Sequence, residues 1–149
     1  MKAPVTIDSL MNEWEKDSKI NETEPNKELV RIPTLHSKYL NILTYHRMMA
    51  TKADVDYKTF KTIKYEYYNG KLNNPEDLKH YGWEPMLKTI LIKDIPAYLD
   101  ADAELNKLLA RKNFHNEIVE YCTSVLKELH SRTFQLRSFI DWHKFTNGD

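Results

Sequence analysis

The 149-residue chain carries 22 basic and 22 acidic side chains, a pI near 7.0 and a mean hydropathy of −0.67. Ile, Leu, Val and Phe number 10, 16, 5 and 5, about a quarter of the residues and above the level of roughly 20% below which chains stay disordered. A single cysteine, Cys122, excludes an internal disulfide and any multi-cysteine metal site, and no run reaches the roughly 18 apolar residues that a membrane span needs.

The length fits one domain. The zero net charge conceals alternating blocks: residues 1–30 hold 4 basic and 7 acidic groups, 31–71 hold 8 and 3, 72–104 hold 3 and 7, and 105–149 hold 7 and 5. A basic centre between acidic flanks can bind an anionic polymer in one place and a protein in another. The start, MKAPVTIDSLMNEWEKD, lacks the apolar core of a signal peptide, so a cytoplasmic chain without membrane contact is expected.

In chain order, Ile7–Lys16 reads as a short amphipathic helix and Ser18–Pro25 as a polar, mobile link. A long helix follows, either capped by Asn26 and kinked at Pro33 or beginning near Thr34. No Gly or Pro interrupts it from Thr34 to Asn69. Leu35, Tyr39, Ile42, His46, Met49, Ala53, Asp56, Phe60, Ile63 and Tyr67 recur at a 4-3 spacing, that of a helix-packing seam. Asn69-Gly70 is a helix stop. Between Leu87 and Ile95 the β-branched content allows a strand and the length a short helix; the helical reading is preferred.

A second uninterrupted segment carries its own seam at Leu108, Lys112, His115, Val119, Cys122, Leu126, Leu129, Thr133, Leu136 and Ile140. Asp100, Asp102 and Glu104 suit the positive end of this helix and Lys144 the negative end. At about 1.5 Å per residue each long helix would span roughly 50–65 Å, so packing between copies is the expected way to bury both seams. The fold class expected is all-α: two long helices joined by a linker of short elements. The regions are 1–25 (helix and link), 26–104 (helical region holding the basic centre, with linker) and 105–149 (C-terminal helix for packing between copies).

Six of nine tyrosines lie between Tyr39 and Tyr68, and Lys58–Lys71 interleaves Lys58, Lys61, Lys64 and Lys71 with Tyr65, Tyr67 and Tyr68. Lysines follow a phosphate backbone and phenol rings stack on unpaired bases, so this segment points to single-stranded nucleic acid. Tyr57, Lys61, Lys64, Tyr68 and Lys71 share the 4-3 spacing one residue away from the seam, forming an expected exposed stripe with Lys58 and Tyr65 beside it. A solvated helix face whose tyrosines rest on a neighbour fits the spacing equally well. The corresponding alternative function is a helical oligomeric structural or interaction protein without DNA binding.

No phosphate-binding glycine loop, nucleophile elbow or zinc signature occurs, so no catalytic residue, metal or cofactor is expected and the chain is not read as an enzyme. His46, His115 and Cys122 fall on seams, where a hydrogen-bonded histidine or an inert thiol is the commoner occupant. The run Phe134–Trp142 gathers bulky side chains suited to a subunit contact.

Leu35-His36-Ser37-Lys38-Tyr39-Leu40-Asn41, Tyr67-Tyr68-Asn69-Gly70-Lys71, Lys88-Thr89-Ile90-Leu91, the surroundings of Cys122, and Ser131-Arg132-Thr133-Phe134 occur in an order and at spacings that resemble the UvsY recombination mediators of T-even-like phages. A match at Glu13–Asn21 extends the resemblance over nearly the whole chain. The resemblance implies a ring-like homo-oligomer, hexameric or heptameric, in the host cytoplasm during infection. It implies binding to single-stranded DNA and help in loading the phage recombinase onto strands coated by the phage single-strand-binding protein. Of the family's basic pair before the tyrosine doublet, one member falls on Lys64 and the other on Thr62, with Lys58 and Lys61 nearby. The DNA-contact residues expected are therefore Lys58, Lys61, Lys64, Tyr68 and Lys71. For oligomerisation they are Val119, Cys122, Leu126, Leu129, Leu136 and Ile140, in keeping with the family's assembly through its C-terminal region.

Overall fold

The computed structural model describes residues 4–148. Its helices are α1 (Ile7–Asp17), α2 (Pro25–Tyr68), α3 (Pro75–Tyr81), α4 (Ile95–Asp100) and α5 (Ala103–Asn147), with one 3-10 turn at Ile92–Asp94. Among the described residues there is no strand, and no helix is long and apolar enough to cross a membrane. The all-α expectation and its two long helices hold.

The ends of these helices follow from local chemistry. Thr6 caps α1 by accepting from the Ser9 backbone N–H while the Ser9 hydroxyl accepts from that of Thr6, a reciprocal capping box. Helix α2 opens on Pro25, where the missing N–H costs nothing, and it continues through Pro33. Gly70 ends α2 at φ 83°, a left-handed conformation that glycine adopts without steric penalty, and the Leu72 N–H reaches back to Glu66 O at 3.0 Å. The Asp102 carboxylate accepts from the Leu105 N–H at 2.9 Å and closes the first turn of α5. The helical reading of Leu87–Ile95 is corrected: residues 87–91 are irregular, and only Ile92–Asp94 turn before α4 starts. Leu87, Leu91 and Ile92 are exposed there, so no buried face is present to stabilise a helix over that stretch.

The chain forms two compact units. One comprises the residues up to Met48 together with those from His115 onward. Its core joins Leu10 of α1, Leu35, Tyr39 and Leu43 of α2, and Ile118, Cys122, Val125 and Leu129 of α5. Trp14 meets Tyr39 edge-on with centroids 5.4 Å apart, and the His46 and His115 Nδ1 atoms lie 2.9 Å apart, each ring buried. Burial and then the neighbouring His115 hold the His46 imidazole below its ordinary pKa. The link before α2 is tied by Arg31, which donates to the Asp17 and Lys19 carbonyls. Asp17 accepts from Lys38 at 2.6 Å and from the Tyr39 hydroxyl at 2.8 Å. Burial alone would raise its pKa, but these donors and Arg31 outweigh it and leave the carboxyl below its usual range.

Every position of both 4-3 seams is buried or half-buried. The expectation that they need a second copy is corrected in this unit, where residues of the two seams close one core within the chain. The oligomerisation candidates Cys122 and Leu129 are wholly buried in it, Leu136 is buried, and Val119, Leu126 and Ile140 are half-buried.

The second unit is Met49–Phe114. Ile95, Leu99 and Leu105 form its core, with Tyr57, Phe60, Tyr68 and Ile90 packed against them.

Candidate nucleic-acid interface

The stretch of α2 that bears Lys58, Lys61 and Lys64 belongs to the second unit, and its side chains divide into buried and exposed groups. Lys64 is engaged. It is 4% exposed, with its ammonium 3.0 Å from Asp102 Oδ2 and 3.0 Å from Glu104 Oε1, and 4.0 Å from the Trp83 ring centroid. Trp83 Nε1 donates to the same Glu104 oxygen at 2.7 Å, and the Tyr68 hydroxyl donates to Asp102 at 2.5 Å. Burial pushes the Tyr68 phenol well above its ordinary pKa and Asp102 adds to the shift. For Asp102, burial works toward a higher value, but Tyr68, the Leu105 N–H and Lys64 together hold it below the ordinary one.

The expected exposed stripe is therefore corrected at three positions, the first being Tyr57, which is half-buried against the core of Ile95, Leu99 and Leu105. Lys64 is buried inside an ion-pair and aromatic cluster, and Tyr68 is half-buried with its hydroxyl engaged. The physical reason is the neighbouring backbone: Trp83, Asp102 and Glu104 converge on that side of α2, where two carboxylates and an indole make burial of one ammonium tolerable. Spacing along α2 could not reveal this, because Glu104 is 40 positions away.

Lys58, Lys61 and Lys71 are exposed. Lys58 meets Asp54 at 2.8 Å, an i,i+4 pair, and Asp54 also receives Lys112 at 2.8 Å. Those two ammonium groups hold the Asp54 carboxyl below its ordinary pKa. Lys61 lies 5.8 Å from the Tyr57 ring centroid and has no carboxylate partner among the described residues. Lys58, Lys61, Thr62, Tyr65 and Leu99 line a surface groove. Among the described residues no cluster of three or more His, Cys, Asp or Glu could hold a metal ion.

The fold is thus an all-helical one that carries exposed lysines, Lys58 and Lys61, beside Tyr65 on one face of α2. The chain belongs to the UvsY family: residues 13–149 match the family described as recombination, repair and ssDNA binding protein UvsY. It is 22% identical over 142 residues to the recombination protein uvsY of enterobacteria phage T4, spanning 95% of this chain and 98% of the relative. Crystal structures of the bacteriophage T4 recombination mediator protein UvsY share the fold. One lattice form gives a TM-score of 0.84 at 20% identity, covering 97% of this chain and 99% of the other, and a second gives 0.81 over 92% and 98%.

Proposed function

We propose that the chain is a recombination mediator that binds single-stranded DNA through Lys58, Lys61 and Lys71 and helps load a phage recombinase onto strands coated by single-strand-binding protein, in the host cytoplasm during infection. The observation that carries this reading is the set of three exposed lysines on and just beyond α2, in a chain that belongs to a family of ssDNA-binding recombination proteins. Each phosphate contact contributes about 0.7 to the logarithmic salt slope on a single strand, so one protomer binds weakly. Repetition of the lysines around a homo-oligomeric ring raises the effective concentration of every further contact. The apolar side chains that would join protomers are Phe134, Trp142 and Phe145, 75%, 64% and 78% exposed near the end of α5. They stand in place of Cys122 and Leu129, which already serve the protomer's own core.

The test has two parts. Fluorescence anisotropy with a labelled oligonucleotide at two salt concentrations should show affinity falling steeply with salt, and the Lys58→Ala/Lys61→Ala variant should lower the slope. A recombinase-filament assay on strands coated with single-strand-binding protein should then be faster with the wild-type chain than with that variant. Binding indifferent to salt and to both substitutions sinks the DNA reading; normal binding without acceleration sinks the mediator role.

A further inference from the structure

We propose that the groove of Lys58, Lys61, Thr62, Tyr65 and Leu99 is a seat for one unpaired nucleobase, so that the protein grips the bases of a strand as well as its phosphates. This rests on the DNA-binding reading above and specifies what that site recognises. The choice falls on Tyr65 because it differs from every other tyrosine and tryptophan of its unit. Tyr57 has Lys61 near its face, Tyr67 and Trp83 pack on each other, Tyr68 meets Tyr98, and Tyr81 stacks on Trp83. Tyr67 and Tyr68 also engage their hydroxyls, on Glu84 O and Asp102. Tyr65 is 38% exposed and, among the described residues, has neither a ring partner nor a side-chain hydrogen bond. It is an aromatic surface left open beside two exposed cations, Lys61 without a carboxylate partner among the described residues and Lys58 in an exposed pair with Asp54.

The surroundings suit a flat, apolar ring with an anionic tether. Lys58, Lys61, Thr62 and Tyr65 stand at i, i+3, i+4 and i+7 and so share one face of α2. Leu99 of α4, 7% exposed, adds an apolar wall. The Thr62 hydroxyl donates to Lys58 O at 3.2 Å, which leaves its methyl as the group available to a ligand. The groove thus offers an aromatic ring, a leucine and a methyl to a base, and two ammonium groups to the phosphates on either side. Stacking of this kind tolerates any base, because each has a π-face.

The experiment compares an eight-residue deoxythymidine strand with an abasic strand of the same length and charge, measured by anisotropy at low salt. Wild type should bind the thymidine strand about ten-fold or more tightly than the abasic one. Tyr65→Ala should abolish that preference while leaving the salt slope unchanged, and Tyr65→Phe should retain it. Lys61→Ala should lower the slope and leave the ratio of the two affinities intact. Circular dichroism verifies that the variants keep the wild-type helix content. Equal wild-type affinity for both strands overturns the seat but spares the DNA-binding reading. A preference that survives Tyr65→Ala also overturns it, since the bases are then read elsewhere. Binding to neither strand overturns the DNA-binding reading itself.

Discussion

Lys64 separates charge that holds a fold together from charge that is available to a partner. It carries the same formal charge as Lys61 three positions earlier, yet its ammonium sits between Asp102 and Glu104 and against Trp83. Removing one partner of a buried pair strands the other, so Lys64→Met should destabilise by about 3 kcal/mol, read by urea unfolding. The salt slope of DNA binding should stay at its wild-type value under conditions where the variant is folded. A drop of about 0.7 in the slope would instead make Lys64 a phosphate contact. Asp102 gives the cluster a pH signature. Its folded pKa lies below the ordinary value of about 3.9, so its contribution is fully present above that value and is lost as the pH falls through the lower folded one. Between pH 5 and pH 3 the thermal midpoint of wild type should fall more than that of Asp102→Asn, with Asp17 leaving a residual fall in both. Cys122 is the third case. Burial pushes its thiol up to about 11, so in native protein at pH 8 a thiol reagent should modify it far more slowly than in urea. Equal rates would show the core to be open there.

At the scale of elements, helix ends and faces obey local rules and helix partners do not. Asn69-Gly70 and the acidic start of α5 stop and cap their helices as expected, and the Thr6–Ser9 capping box, found only in the structure, obeys the same local rule. Gly70→Ala tests one of them: nothing lies within 4 Å of an added Cβ, so the cost is conformational alone, about 1 kcal/mol. A loss several-fold larger in denaturant titrations would mean that the site is crowded. The 4-3 periodicity placed both seams correctly because a buried helix stripe must repeat near 3.6 residues. The same periodicity is silent about what covers a stripe. It therefore suggested a second copy where α2, α5 and α1 supply one another, and it extended exposure to Tyr57, Lys64 and Tyr68 on the strength of spacing alone. Leu87–Ile95 shows the converse failure, an apolar run with helix-compatible length whose leucines face outward.

At the scale of the whole molecule, the apolar end of α5 is where the homo-oligomer proposed above can be tested. Phe134, Trp142 and Phe145 are exposed, and bulky exposed aromatics gathered near one helix end favour burial against another protomer. Trp142→Ser/Phe145→Ser should lower the mass measured by light scattering toward that of the 17.7 kDa protomer and weaken DNA binding through loss of avidity. An unchanged mass would remove these residues from the interface.

The amino-acid order alone determined the helical class, the stripes that must be covered, the stops between helices and the lysine–tyrosine segment, because each follows from interactions between residues a turn or less apart. Which lysines and tyrosines of that segment stay open was decided only in three dimensions. Trp83, Asp102 and Glu104 come from distant parts of the chain to engage Lys64 and Tyr68, while Leu99 borders the open groove at Lys61 and Tyr65. Desolvation and pairing of a charge depend on what arrives beside it, and sequence separation carries no record of that.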